Sequence, residues 1–301
     1  MMRTTLKCAL AVALMITASG LSGAAQLAER ETHQASASAQ TTPDRSRMEE
    51  VLQACASDKR FMGWVLVVRG NDVRLNNCYG FANLEWDIPS TPSGKFRLGS
   101  ITTQFTAASI LLLEERGKLK VDDPVKKYMP DAPAAWDKIT IFHLLTHTSG
   151  IPSFTGFPDC KSKEPFSTTP EELVARFRDK PLDFQPGEKM SYSNSGYVLP
   201  GYLIEKITLE TYDRFVQENI FAPLGMKDSG YESNSAIIPH RVEGYEAGPN
   251  GLIHAGFIHM TVPFSAGRAL FHHRGPAEMG ARAFRGQSSF GEFVAKDDQA
   301  F

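Results

Sequence analysis

The sequence is short of cysteine and of any excess of one charge. Four cysteines occur in 301 residues, with no Cys-x-x-Cys pair and no His-rich spacing of the metal-ligand kind, so neither a zinc motif nor a redox motif is indicated. The formal net charge is −2, and no basic stripe of the sort that nucleic-acid binding requires is present. Neither a metal nor an organic cofactor is implied. What is there, 42% hydrophobic residues in a chain of this length, fits a single soluble domain.

The first 25 residues read as a secretory signal. Arg3 and Lys7 lie in a charged beginning, Ala9 to Leu21 is mostly apolar, and Ser22, Gly23, Ala24 and Ala25 are small. The apolar run falls short of the roughly 20 residues of a spanning helix, so cleavage before Gln26 and a periplasmic or secreted protein are expected, with no stable membrane span afterwards. Cys8 would leave with the signal. Cys55, Cys78 and Cys160 would remain, and Cys55 and Cys78 could pair in an oxidising compartment or stay as buried thiols.

Residues 26–47 are rich in Ala, Ser, Gln and Thr without apolar periodicity and read as a disordered leader. Order is expected from about Met48. Val51, Leu52 and Cys55 suggest a helix, and Gly63 to Val68 and Val73 to Tyr79 read as strands joined by the turn Arg69-Gly70-Asn71-Asp72. Thr169-Pro170-Glu171-Glu172 is a capping sequence that opens a later helix. His143 and His147 stand four apart, as a metal pair on a helix could. No acidic partner lies between them in the zinc-protease pattern, and helix surface and helix end are the plainer reading.

The chemistry sits in two boxes. The first is Phe96-Arg97-Leu98-Gly99-Ser100-Ile101-Thr102-Thr103, followed by the apolar helix pattern of Ala107, Ile110, Leu111 and Leu112. It resembles the nucleophile box of the serine β-lactamase and penicillin-binding-protein family, where a Ser at the start of a helix is followed one turn on by a Lys. Residues three apart share a helix face, so an amine there can take the hydroxyl's proton. Position 103 is Thr, a neutral hydroxyl that cannot supply that charge, so it is a degenerate motif position. The second box, Tyr192-Ser193-Asn194, resembles the family's Tyr-x-Asn element. The resemblance implies that Tyr192 is the general base for Ser100 and that Asn194 binds the substrate's amide.

The similarity runs from about Met48 to Gly267, through Asp122-Asp123-Pro124 and His147-Thr148-Ser149-Gly150. Pro200 stands where the family has Leu. Beyond the first turn of a helix a proline there removes a hydrogen bond at a cost of about 3 kcal/mol. An α/β-hydrolase elbow is excluded, since no Gly-x-Ser-x-Gly occurs and Pro263 stands where Ser265 would need its first Gly.

After Gly267 the family pattern stops. Written as codons and read one base later, Phe271 to Gly280 permit the family-like string Ser-Thr-Thr-Glu-Asp-Leu-Leu-Lys-Trp. Its Trp is forced, because Met279 followed by Gly280 always contains TGG. Residues 268–301 are therefore expected to be an out-of-frame tail, and the family's third box, Lys-Thr-Gly or His-x-Gly on a late strand, is absent.

The resemblance implies an α/β (α+β) fold of β-lactamase/transpeptidase type: an antiparallel sheet flanked by helices, plus an all-helical subdomain, with the C-terminal strands missing. A hairpin left without those strands would have an unpaired edge. The function so implied is an exported serine hydrolase that acylates Ser100 from a β-lactam, a D-amino-acid peptide or an ester, weak or inactive in this copy. The alternative is a non-catalytic remnant that binds cell-wall peptides, or a decaying gene product.

Overall fold

The computed structural model describes residues 44–69 and 72–272. The expected signal, most of the leader, the tip of the first hairpin and the reading of the tail beyond His272 lie outside the described residues. The chain divides into two compact units, Met1–Pro92 and Ser93–Phe301, a division that composition alone does not announce.

In the first unit, helix α1 covers residues 44–57. It starts four residues before Met48, inside the stretch expected to be a disordered leader. Arg45 pairs with Glu49 at 2.9 Å, an i,i+4 ion pair that supports the extra turn. Strands β1 (Gly63–Arg69) and β2 (Asp72–Tyr79) pair antiparallel, with a bulge between Val67 and Val68. Leu75 and Tyr79, four apart on one strand face, are buried. Among the described residues this hairpin pairs with no other strand. A second, shorter hairpin joins β3 (Phe81–Asn83) to β4 (Ile88–Pro89). Cys55 and Cys78 are both free, half-buried thiols, and burial pushes the Cys78 thiol up.

The second unit opens with β5 (Lys95–Arg97), a 3-10 turn over Gly99–Ile101 and helix α2 (Thr102–Glu115). Gly117 stops that helix. At φ +67 it lets its own N–H reach Glu114 O and the Lys118 N–H reach Leu113 O, at 2.8 and 2.9 Å, the paired bonds that close a helix through a left-handed glycine. Helices α3 (Ile141–Leu145), α4 (Cys160–Lys163), α5 (Pro170–Arg178) and α6 (Asn194–Thr208) follow. The capping sequence before α5 closes as read, with Thr169 Oγ1 accepting the Glu172 N–H and Glu172 Oε2 accepting the Thr169 N–H. Phe105, Ile110 and Leu113 of α2 join Trp136, Leu144, Phe177, Val198 and Leu203 in one continuous core.

Helix α7 (Tyr212–Val216) runs into a π turn over Gln217–Phe221, and β6 (Gly230–Tyr231), the hairpin β7 (Tyr245–Gly248) with β8 (Gly251–His254), helix α8 (Phe264–Gly267) and β9 (Ala269–His272) complete the described chain. Strand β9 lies between β5 and β6, antiparallel to both. It begins two residues beyond Gly267, and its Ala269 and Leu270 are buried. Arg97 on β5 forms a bidentate pair with Glu232, at 2.6 and 2.7 Å, and the Glu232 side chain is fully buried.

Pro200 falls at the seventh residue of α6, well past the first turn, and has no N–H to offer Gly196 O. The next residue, Gly201, is where α8 comes closest. A Cβ there would lie 2.1 Å from Ser265 Oγ, and that hydroxyl donates to Tyr197 O at 2.7 Å. Ser265 thus serves a backbone carbonyl in the helix that proline interrupts. Among the described residues no helix is long and apolar enough to cross a membrane.

Candidate active site

Ser100 sits on the 3-10 turn between β5 and α2, ahead of the helix proper, which begins at Thr102. Gly99 supplies a φ of +54 with open space where a Cβ would stand, a left-handed conformation that glycine adopts without cost. The turn is held from below by β9: Ala269 O accepts the Leu98 N–H at 3.1 Å, and the Ala269 N–H donates to Thr102 Oγ1 at 3.0 Å. Ser100 is exposed above it.

Thr103 does not face the nucleophile's hydroxyl. Its Oγ1 donates to the carbonyl of Ser100 at 2.8 Å, a local back-bond typical of threonine in a first turn. The group that does meet Ser100 is Tyr192, whose hydroxyl donates to Ser100 Oγ at 2.7 Å. Asn194 Oδ1 lies 3.2 Å from the same phenol oxygen. The three residues that the two boxes nominate are therefore side by side. The fourth, Thr103, is adjacent through the backbone only.

Three further residues shape this group. Asn194 Nδ2 donates to Thr155 Oγ1 at 3.0 Å, the hydroxyls of Thr155 and Ser153 are 2.9 Å apart, and Ser153 Oγ accepts the Asn194 N–H at 3.0 Å. The loop carrying them is anchored where the Phe154 N–H donates to the buried Ser195 Oγ at 2.9 Å. The third is His147, a non-glycine residue at φ +59. Its carbonyl accepts the Ser191 N–H at 2.9 Å, its Nδ1 accepts the Ser193 N–H at 3.2 Å, and its ring centroid lies 4.5 Å from that of Tyr192 and 4.9 Å from that of Tyr197. Burial pushes the imidazole's pKa down. Burial, with the Tyr192 phenol adding to it, pushes Tyr197 up to about 12. His143, four residues earlier, uses its Nδ1 to accept the Thr140 N–H in the capping box of α3, so each histidine of the pair serves a backbone N–H. A string of hydroxyl residues after a His-Thr-Ser-Gly turn was the available signal for this loop.

The Beta-lactamase family model matches residues 46–269 of the sequence. The chain belongs to the β-lactamase family. Among curated relatives, penicillin-binding protein 4* of Bacillus subtilis (strain 168) is 32% identical over 206 residues, covering 68% of this chain and 45% of that protein. The chain thus spans about half the length of the curated relative it matches. A penicillin binding protein from Bacillus halodurans has a similar structure, with a TM-score of 0.70 at 28% identity, over 78% of this chain and 74% of that one. The D-amino acid amidase from Ochrobactrum anthropi SV3, solved with L-phenylalanine amide, gives 0.71 at 25% identity, over 81% of this chain and 71% of its own. The fold of this β-lactamase-family chain is accordingly β-lactamase/transpeptidase-like, and the family match ends within β9.

Proposed function

We propose that this β-lactamase-family protein is an exported acyl-transfer protein of low power, in which Ser100 is acylated by β-lactams, D-amino-acid peptides or small esters without the usual lysine. One observation carries the reading. The Tyr192 hydroxyl bonds Ser100 Oγ at 2.7 Å, while the hydroxyl at the lysine position is turned onto the Ser100 carbonyl.

Ser100 Oγ attacks the acyl carbonyl and forms the new C–O bond as the bond from that carbon to the leaving nitrogen or oxygen breaks. Tyr192 takes the serine proton as it passes its own to the leaving group, so that no free alkoxide or phenolate is formed. Asn194 sits where its amide can meet the substrate's amide once Thr155 gives way. With no Lys or Arg bonded to the phenol among the described residues, the barrier stays high, since losing a full acid–base partner costs roughly 10²- to 10⁴-fold. The basic start and apolar run of residues 1–21 support export. Kinship with a penicillin-binding protein and likeness to an amidase of D-amino acids support the substrate class.

A second reading, a non-catalytic module that holds cell-wall peptides, is favoured by Thr103 and by the engagement of the Asn194 amide with Thr155. Intact mass separates the two. The exported chain is incubated with a penicillin and with a broad serine-directed phosphonate. A slowly formed adduct that maps to Ser100 and disappears in Ser100→Ala is expected. No adduct with either reagent overturns the acyl-transfer reading, and peptide retention without acylation would then establish the second.

A further inference from the structure

We propose that His147 is the positioning residue that holds the Tyr192 phenol against Ser100. The inference rests on the acyl-transfer reading only for its effect on rate. The clamp itself is geometric.

Two hydrogen bonds and one ring contact bracket position 192. The His147 carbonyl takes the N–H of residue 191 at 2.9 Å, its Nδ1 takes the N–H of residue 193 at 3.2 Å, and its ring lies against the ring of residue 192 at 4.5 Å. One residue therefore fixes the backbone on both sides of Tyr192 and one face of its side chain. Tyr192 is half exposed, at 49%.

The backbone of His147 is a second, independent pointer. At φ +59 the position is left-handed, a conformation few non-glycine residues adopt and that His, like Asn and Asp, tolerates better than most. Such conformations persist where the surrounding structure requires them, and they collect at functional sites. The same backbone twist that aims the carbonyl at Ser191 leaves the imidazole aimed at Ser193.

An Nδ1 that accepts must be unprotonated, so the clamp needs the neutral ring with its proton on Nε2. Protonation would set one N–H against another and release Ser193. Among the described residues the titratable groups in ring contact with His147 are the phenols of Tyr192 and Tyr197.

The test uses the full exported chain. In wild type, the Ser193 amide proton resonance is expected to move with the His147 titration, below the ordinary imidazole value. An amide that stays still through that titration overturns the clamp. Phosphonate labelling of Ser100 is expected to slow roughly tenfold to a hundredfold in His147→Ala, as misplacement by about 1 Å can do. His147→Asn, which tolerates the left-handed backbone and offers an acceptor near the Nδ1 position, should recover most of the rate. Its labelling should also lose the fall at low pH that is expected of wild type. His143→Asn, which alters the capping box of α3, should label like wild type. Labelling of His147→Ala at the wild-type rate, or of His147→Asn as slowly as His147→Ala, overturns the proposal. A wild type that does not label at all overturns the acyl-transfer reading instead, and the Ser193 resonance alone then decides the clamp.

Discussion

The Tyr192 hydroxyl meets Ser100 Oγ at 2.7 Å across 92 residues of sequence, and among the described residues neither hydroxyl is bonded to a lysine or arginine. A phenol without a cation is a weak base, yet it is the group in place to handle the serine proton. Tyr192→Phe should lower the rate of phosphonate labelling roughly 10²-fold, the low end of what a general base contributes. The check is the time course of adduct mass. An unchanged rate would show that the proton leaves by another route.

Restoring the family's amine should do the reverse. Thr103 now spends its hydroxyl on the Ser100 carbonyl, a bond worth about 1 kcal/mol, so Thr103→Lys should cost little stability. It should speed acylation by a penicillin roughly 10²-fold or more. The measurement is the rate of the penicilloyl adduct at Ser100, and a rate no faster than wild type would place the fault elsewhere in the site.

The approach of α8 to α6 gives a prediction about folding. Gly201→Ala puts a methyl 2.1 Å from Ser265 Oγ and 2.3 Å from its Cβ, and overpacking of this kind typically costs 1–3 kcal/mol, at the order-of-magnitude level. The double variant Gly201→Ala with Ser265→Gly removes both of those atoms and should recover part of the loss. Denaturant unfolding of the single and double variants decides it. Equal stability of the two would mean that α8 moves aside freely.

Acid should loosen the segment that leads into α3. Asp123 is held down to about 2, first by its hydrogen bond from Lys127 and then by that from Tyr128. A carboxylate whose folded pKa is depressed stabilises the fold above its ordinary value of 3.8, and that contribution is lost as pH falls through the interval down to about 2. The thermal midpoint of wild type should therefore exceed that of Asp123→Asn by a constant margin near neutral pH. The margin should shrink across that interval, and a margin independent of pH would rule the linkage out.

Local signals were legible in the sequence. The capping box at Thr169 and the strands around Leu75 follow from turn chemistry and periodicity within a few residues. Ser100, Tyr192 and Asn194 were nominated by motif, and the structure brings them together. His147 was not readable as a site residue, because its role depends on a left-handed backbone and on a bond to Ser193 46 residues away. The pair of Arg97 with Glu232 was equally hidden, since a separation of 135 residues leaves no periodic trace. Thr103 was legible as a missing charge. That its hydroxyl would turn to the backbone was not, since nothing in the composition fixes a rotamer.

The bonds from Ala269 to Leu98 and Thr102 set a timetable. The hydroxyl of Thr102 waits for an N–H that lies 167 residues further along. At a synthesis rate of roughly 5–20 residues per second, the nucleophile turn spends on the order of ten seconds or more without its underlying strand while the rest of the core is being made. A premature stop between Asn194 and Ala269 would yield a protein that carries every residue of the two chemical boxes and lacks the two bonds that hold Ser100 in place.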